Sequence, residues 1–346
     1  MSQYLSKKLS ILSLICILGV LIIHTHNLEA STFTLAAYVQ NLVGGQLVRF
    51  CVPLFFLISG YLFFVNINYG AFSQVWMKLR RRVSSLFVPY LICNTLFFIC
   101  IIVLQLIPWT AKFVNTDFLS MLRQDIWSII TYLYWEPAAF HLWFLKYLML
   151  FMLSTPILLL CLSNSYAATI YALCTYSIWG VFCFQDSYAQ NYLFFVAGAY
   201  LAFYKVNICR KMNPATTLFA IGAYLAWCVI NVHFSDLCLP QFEIPRLTLG
   251  CIAIWGMYDY FYQMAPQMVS YLLKWCIFTF FVYLFHEPWI NVYKKMALRI
   301  FGVSEMTLLI SYFLIPIIMY ITCVHIAIFI RKFLPKTYSI LTGGRV

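Results

Sequence analysis

Charged residues are scarce in this sequence. Asp, Glu, Lys and Arg together make up 9% of its 346 residues, and only 10 residues are acidic. A soluble domain carries about 25% charged residues. Here 64% of the residues are hydrophobic and the mean hydropathy is +0.88. This composition excludes a soluble globular protein and predicts an integral membrane protein.

Paired cysteine motifs are also absent. The 13 cysteines are scattered singly, mostly inside apolar runs, and no two of them form a CxxC pair. Neither a disulfide framework nor a metal site fits that spacing, so none is predicted. The cysteines are interpreted as small apolar core residues.

A basic stripe on a soluble module, which nucleic-acid binding would need, is missing despite a net charge of +12. The lysines and arginines fall mostly between apolar runs, where they control topology and meet anionic lipid headgroups. The predicted partner is therefore the lipid bilayer, and no nucleic acid is expected. No internal repeat of 20–50 residues is visible.

The apolar runs predict an all-α polytopic membrane protein, a single domain over residues 1–346 with no appended soluble domain. The first run follows Lys7 and Lys8 and lacks a nearby cleavage site, so it is read as an uncleaved helix. About ten transmembrane helices are predicted: Leu9–Ile23, Leu47–Val65, Leu86–Leu106, His141–Leu162, Ala167–Cys183, Tyr188–Tyr204, Thr217–Val232, Leu247–Tyr262, Cys276–Ile290 and Leu308–Ile330. An amphipathic helix starting at Thr116–Asp117 is predicted in the loop 108–140.

Basic residues predict that both termini are cytoplasmic. On this assignment 14 of the 22 lysines and arginines lie on the inner side, and 78–82 is the densest basic cluster. Lys294, Lys295 and Arg299 form an outer cluster that opposes this orientation.

Polar groups from separate helices are predicted to meet at the outer leaflet. Arg49 opens an apolar helix, where a charge is costly unless it has a partner, water or a ligand. Pro53 is expected to bend that helix near its outer end. The other groups at this depth are His24, His26, His141 and the pair His286–Glu287.

Each of these groups also has a simpler explanation. A histidine at the interface is often solvated or capping, and an arginine at a helix end can reach the headgroups. His233 and His325 stand alone and receive that simpler interpretation. The convergence of four separate helices at one depth favours a functional site.

Six segments carry a family resemblance over nearly the whole chain: Ile22–His24, Arg49–Tyr61, Leu86–Tyr90, His141–Leu145, Phe194–Ala199 and Val282–His286. With these segments the sequence resembles the acyltransferase 3 family, multispanning membrane enzymes that O-acylate extracytoplasmic glycans in bacteria. The resemblance implies a location in the bacterial cytoplasmic (inner) membrane. It also implies an acyl-CoA co-substrate, no permanently bound cofactor, and a glycan or other hydroxyl acceptor at the outer leaflet.

The resemblance implies roles for individual residues. His24 would be the general base, and Arg49 would stabilise the oxyanion or hold the acceptor. His141, Trp143 and His286 would bind or orient substrate, and Glu287 would fix an imidazole tautomer. A weaker expectation places the phosphates of the donor near four cations: Lys8, Arg80, Arg81 and Arg82. Anchoring of the adjacent helix explains the three arginines equally well.

One position departs from the family pattern. Members commonly carry an arginine eleven residues before the first-helix histidine, and here that position is Ser13. Lys8 is the nearest cation, roughly 7.5 Å closer to the cytoplasm at helical rise. The serine leaves three alternatives. The donor binds through Lys8 and the Arg80–Arg82 cluster, the enzyme uses a different donor, or its activity is reduced.

Two other function classes compete with the enzyme. A transporter or flippase for an anionic lipid-linked sugar or polysaccharide would suit a basic, histidine-lined cavity, but the sequence lacks an inverted repeat and paired broken helices. A catalytically degenerate membrane scaffold would explain the departure at Ser13.

Overall fold

The computed structural model describes residues 2–27, 33–111, 118–121, 126–182, 190–234 and 242–345. Within these ranges the chain is helical and contains no strand, which confirms the all-α prediction. The α-helices are α1 Gln3–His24, α2 Thr34–Leu42, α3 Cys51–Phe64, α4 Phe72–Arg82, α5 Val88–Leu106, α6 Pro108–Ala111, α7 Phe118–Met121, α8 Ile126–Tyr134, α9 Trp143–Leu153, α10 Thr155–Leu162, α11 Ser165–Phe182, α12 Asn191–Phe203, α13 Pro214–His233, α14 Glu243–Met264, α15 Pro266–Cys276, α16 Thr279–Phe285, α17 Trp289–Phe301, α18 Glu305–Phe333 and α19 Pro335–Leu341.

Several of these helices are long and apolar enough to cross a membrane. In the described part of the chain there are five: Gln3–His24, Thr34–Phe64, Phe72–Leu106, Pro214–His233 and Glu305–Phe333. Two bent pairs, α9–α10 at 51° and α15–α16 at 48°, raise the number to seven if each pair is one span. The chain is therefore an integral membrane protein by length and composition, while the count of ten and the cytoplasmic termini stay predictions.

The predicted second helix is divided near its start. A π-helical turn, Val43–Leu47, follows α2, and α3 begins only at Cys51. Pro53 lies in the first turn of α3, where its missing N–H leaves no bond unmade. Its ring would clash with the carbonyl of residue 49 in a continuous helix, so the interruption at 48–50 lies where the bend is expected.

The basic cluster before the predicted third helix is itself helical, although no helix is predicted there. The helix α4 joins α5 through a second π-helical turn, Val83–Phe87, and forms a single run from Phe72 to Leu106.

The amphipathic segment of the outer loop is present as α8, while its predicted start at 116–117 lies outside the described residues. Asn94 of α5 fixes α8 in place, because the side-chain amide of Asn94 donates a hydrogen bond to Leu133 O at 2.7 Å.

The predicted fourth helix is bent where α9 meets α10. Pro156 cannot donate a backbone hydrogen bond and clashes with the carbonyl four residues earlier. That carbonyl belongs to Met152, and it accepts a hydrogen bond from the hydroxyl of Thr155 at 2.6 Å. The predicted ninth helix is also replaced by shorter pieces: α15 and α16 meet at residues 277–278, and α17 begins after Pro288.

Two glycines bring the helices of the core into close contact. A Cβ added to Gly60 of α3 would overlap Phe195 O of α12, and one added to Gly198 of α12 would overlap Leu57 O of α3. Small residues allow helix backbones to approach closely in membrane proteins. The helix α1 packs against α3, α15, α16 and α18, which fixes the position of its last residue, His24.

Candidate active site

His24 is the last residue of α1, and the end of this helix is held by a lysine. The Nζ of Lys294, on α17, donates to the backbone oxygens of His24 at 3.0 Å and His26 at 3.1 Å. A cation at a helix C-terminus is stabilised by the helix dipole and satisfies carbonyls that lack an intrahelical donor. Lys294 therefore fixes the backbone that carries the imidazole of His24.

Three imidazoles from separate helical segments form one cluster. The ring centroid of His286 lies 5.1 Å from that of His24 and 4.8 Å from that of His141. His141 and His286 are buried, with 2% and 0% of their surface exposed, whereas 17% of the His24 side chain is exposed. His24 is thus the imidazole that a substrate can reach.

The two buried imidazoles have defined tautomers. His141 Nε2 lies 3.1 Å from Leu284 O, and His286 Nδ1 lies 2.8 Å from Tyr283 O. A carbonyl oxygen only accepts, so each of these ring nitrogens must carry the proton. The opposite nitrogens, His141 Nδ1 and His286 Nε2, have no hydrogen-bond partner among the described residues. In the neutral rings these two nitrogens are free acceptors.

Glu287 supplies a carboxylate to the same cluster. Its Oε1 lies 3.7 Å from His24 Nδ1, and its Oε2 accepts the amide of Asn291 at 2.7 Å. Glu287 follows the end of α16 and is 5% exposed, and burial raises the pKa of its carboxyl to about 7. Lys294 and Asn291 oppose that rise by favouring the ionised form. This carboxyl therefore changes its charge near neutral pH.

Arg49 and Trp143 lie near this cluster. Arg49 is exposed and follows the π-helical turn Val43–Leu47, and its charge is within electrostatic range of His24 and His26. Trp143 opens α9 two residues after His141 and packs edge-on against Tyr147. Phe140 lies 5.4 Å from the His24 ring between centroids and forms an apolar wall.

The structure does not bring the expected donor-binding cations to the histidines. Lys8 is fully buried in α1, and its Nζ lies 2.5 Å from Asp259 Oδ1 and 4.3 Å from the ring centroid of Trp255. The hydroxyl of Tyr4 donates to the same carboxylate oxygen. Lys8 precedes His24 by 16 residues, roughly 24 Å along a helix.

Of the other positions predicted on the inner side, Ser13 precedes His24 by eleven residues on α1, roughly 16.5 Å at helical rise. Arg80, Arg81 and Arg82 form the last turn of α4. The hydroxyl of Ser13, at the position of the usual arginine, donates to Leu9 O of its own helix at 2.8 Å. Donor binding by Lys8 and the three arginines stays a prediction.

Sequence reasoning missed three residues of the cluster. The hydroxyl of Tyr283 donates to His141 O at 2.9 Å, and Asn291 and Lys294 hold Glu287 and His24. Lys294 did leave a signal, since it belongs to the outer basic cluster that opposes the predicted orientation. Asn291 lies four residues after Glu287 and belongs to α17. Tyr283 falls within the segment Val282–His286 that carries the family resemblance, but no role is predicted for it.

Comparison with known proteins identifies the family. The acyltransferase domain of the acyltransferase 3 family matches residues 8–331. The chain belongs to this family. A curated relative, the succinoglycan biosynthesis protein ExoH of Rhizobium meliloti (strain 1021), is 25% identical over 369 aligned positions, covering 100% of this chain and 94% of the relative. No solved structure matches the chain.

Membership of the acyltransferase 3 family makes the chain an acyltransferase, and it confirms the resemblance that the six segments carry. The segment with His24 and the segment with His286 both fall within the matched residues. The family and the relative support modification of a glycan.

Proposed function

We propose that this protein transfers an acetyl- or succinyl-type group from a cytoplasmic acyl-CoA to a hydroxyl of an extracytoplasmic glycan. The bacterial cytoplasmic membrane separates the two substrates, and the helical bundle would bring the thioester to the acceptor. The observation that carries the proposal is the contact of His24 with Glu287 and His286 in a chain of this family. A partly exposed imidazole beside a buried carboxylate is an arrangement that can remove a proton from a hydroxyl.

His24 acts as the general base in this proposal. Its Nδ1 faces Glu287 Oε1, so its Nε2 is left for the acceptor hydroxyl. As the hydroxyl loses its proton to Nε2, its oxygen attacks the thioester carbonyl carbon. The tetrahedral intermediate collapses with loss of the coenzyme A thiolate, which takes the proton from the imidazolium. One C–S bond breaks, one C–O bond forms, and the proton moves from the acceptor to the thiol.

The neighbouring residues stabilise the charges that form in this step. Glu287, when ionised, stabilises the imidazolium of His24 and fixes its tautomer. Arg49 stabilises the oxyanion of the tetrahedral intermediate, or holds the acceptor, in a region poor in water. His141 and His286 accept hydrogen bonds from substrate through their free nitrogens, and Trp143 forms part of the substrate surface.

The ester content of cell-surface glycans tests the proposal. Glycans from a strain with the gene deleted and from the same strain complemented with the wild-type gene are compared by NMR and mass spectrometry. We expect one ester to disappear in the deletion strain and to return on complementation, which also identifies the acyl group and the acceptor. Identical esters in all strains, with accumulation of a lipid-linked sugar in the deletion strain, would instead favour the flippase.

A further inference from the structure

Hydrogen-bond donors without acceptors collect at the end of the bundle where His24 lies. Four buried donors have no acceptor in the part of the chain that the structure describes: the Nε of Arg246, the hydroxyl of Tyr312, and the side-chain amides of Gln40 and Asn27. An unsatisfied buried donor costs about 1–3 kcal/mol, and native proteins retain few of them. Four donors at one end of a bundle therefore indicate a ligand that supplies acceptor oxygens.

Two of these donors meet at the π-helical turn Val43–Leu47. The hydroxyl of Tyr312, on α18, lies so close to Gly44 that an added Cβ would be 2.5 Å away. Arg246, on α14, is 2% exposed and donates from Nη1 to Gln46 O at 3.3 Å. Gln40 lies one helical turn before Gly44, on the same face. The turn thus joins donors from three helices.

Arg49 adds a charge to this group of donors. Its backbone N–H donates to Gln46 O at 3.2 Å, the oxygen that Arg246 also contacts. Its side chain is exposed and makes no hydrogen bond or ion pair within the described part of the chain. Arg49 is within electrostatic range of Arg246, Tyr312 and Glu243.

The charges around the π-helical turn do not cancel. Arg246 is paired with Glu243, since its Nη2 lies 2.6 Å from Glu243 Oε2. Arg49 is then left with one uncompensated positive charge. A planar guanidinium binds a carboxylate through two parallel hydrogen bonds, and a monoanion matches a single surplus charge.

We propose that Arg49, Arg246 and Tyr312 form a carboxylate-binding site beside the histidine cluster. The proposal rests on the proposed function and deepens it, because it gives the enzyme a negatively charged substrate. The carboxylate belongs either to the acyl group, as in a half-ester of a dicarboxylic acid, or to the acceptor, as in a glycan that contains a uronic acid. Bound there, it holds the substrate while His24 removes the proton from the hydroxyl, and Arg49 then holds substrate instead of stabilising the oxyanion.

Thermal unfolding of the purified full chain in phosphatidylcholine nanodiscs tests this site. The probes are succinate for the acyl group and glucuronate for the acceptor, with succinamide and glucose as neutral counterparts. We expect at least one carboxylate to raise the unfolding temperature in a saturable manner, and the neutral probes to leave it unchanged. The carboxylate that binds identifies its source. No stabilisation by either carboxylate, or equal stabilisation by its neutral counterpart, overturns the proposal.

Tyr312→Phe separates a ligand site from a structural role. The hydroxyl lies against the backbone of Gly44 and donates to no acceptor in the described part of the chain, so its removal should change the unfolding temperature of the free protein only slightly. If the Tyr312 hydroxyl binds a carboxylate, the dissociation constant of that carboxylate should be about tenfold or more higher in Tyr312→Phe than in wild type. This is the effect expected from the loss of a hydrogen bond to a charged group. Tyr320→Phe is the matched control, because its hydroxyl already donates to Trp275 O at 2.9 Å. Equal carboxylate affinity in Tyr312→Phe and wild type contradicts the proposal.

The outcomes of this experiment are independent of the glycan measurement. Carboxylate binding without any ester on the surface glycans would retain the site and refute the acylation. An ester that depends on the gene, together with no carboxylate binding, would retain the acylation and refute the site.

Discussion

At the scale of single residues, the chemistry depends on which imidazole a substrate can reach. The protons of His141 and His286 are fixed by backbone carbonyls in the interior. His24 is partly exposed and has Glu287 on one side. It is therefore the only member of the cluster with both access and a carboxylate partner. The other two imidazoles can accept hydrogen bonds from a bound substrate.

Glu287 should give the reaction a dependence on pH. Burial raises the pKa of its carboxyl to about 7, so it is largely neutral below that pH and ionised above it. Because the ionised form stabilises the imidazolium of His24, ester formation should increase as the external pH rises through 7. Rates of ester formation measured in cells between about pH 5.5 and 8 test this dependence.

Glu287→Gln removes the negative charge beside the imidazolium of His24. If that charge stabilises the imidazolium by about 1.4 kcal/mol, the equivalent of one pKa unit, its loss should lower the rate roughly tenfold. The step near pH 7 should disappear with it. Glu136→Gln, at an exposed position, is the control and should retain the wild-type profile. A step that persists unchanged in Glu287→Gln would assign the titration to another group.

The sequence predicted much of this cluster, because depth along apolar helices can be read from their ends. His24, His141, His286 and Glu287 meet as that reasoning expected. Lys8 is different: its ion pair with Asp259 joins α1 to α14. Local spacing in the sequence does not show which distant helices pack together. A lysine in a buried ion pair and a lysine that binds a ligand therefore look alike in the sequence.

At the scale of elements, close helix contacts and buried polar pairs position the site. The helices α3 and α12 touch through Gly60 and Gly198, and α1 is tied to α14 through Lys8 and Asp259. Since α1 carries His24 at its far end, both features determine where the base lies.

Alanine at either glycine of the α3–α12 contact should destabilise the protein. The new methyl group would overlap a backbone carbonyl that cannot move alone, and overpacking of this kind costs about 1–3 kcal/mol. Gly222→Ala on α13 is the matched control, because an added Cβ there has nothing within 4 Å. That variant should be neutral or more stable, since alanine favours helix. Thermal unfolding in detergent measures all three variants, and equal effects would refute the close contact.

Lys8→Met should be strongly destabilising if the lysine is structural. It leaves Asp259 buried without its cation, which costs about 3–5 kcal/mol in comparable buried pairs. Replacing both partners, Lys8→Met with Asp259→Leu, should recover most of the unfolding temperature. Lys7→Met is the control on the neighbouring residue.

Ester formation in the double variant then separates the two interpretations of Lys8. Activity that returns together with stability indicates a structural ion pair. A stable double variant without activity would favour the predicted contact between Lys8 and the donor.

The boundaries of elements were harder to predict than their existence. Most apolar runs are helical in the structure, and Pro53 and Pro156 lie where helices are interrupted. No helix is predicted over the basic cluster at 78–82, whose charges mark only the inner side of the membrane. It forms an amphipathic helix instead, since lysine and arginine have good helix propensity and one face of α4 is apolar.

At the scale of the whole molecule, the protein is a helical membrane bundle with a polar cluster at one end. Composition alone predicted this class, because so few charged residues cannot cover a soluble surface. The number of spans is less accessible to sequence, since bent pairs such as α9–α10 read as single apolar runs. Lys294 shows one reason for basic residues on the side predicted to be outside: it holds the end of α1.

The role of His24 as the general base is the central claim. The most direct test is the ester content of surface glycans in a deletion strain that carries wild type, His24→Ala or His325→Ala, each at equal abundance in the membrane. His325 is an exposed histidine whose Nδ1 bonds to Ile321 O of its own helix, so its variant is the matched control. We predict full restoration by wild type and His325→Ala, and at least about a hundredfold less ester with His24→Ala. Full restoration by His24→Ala would contradict the assignment of the base.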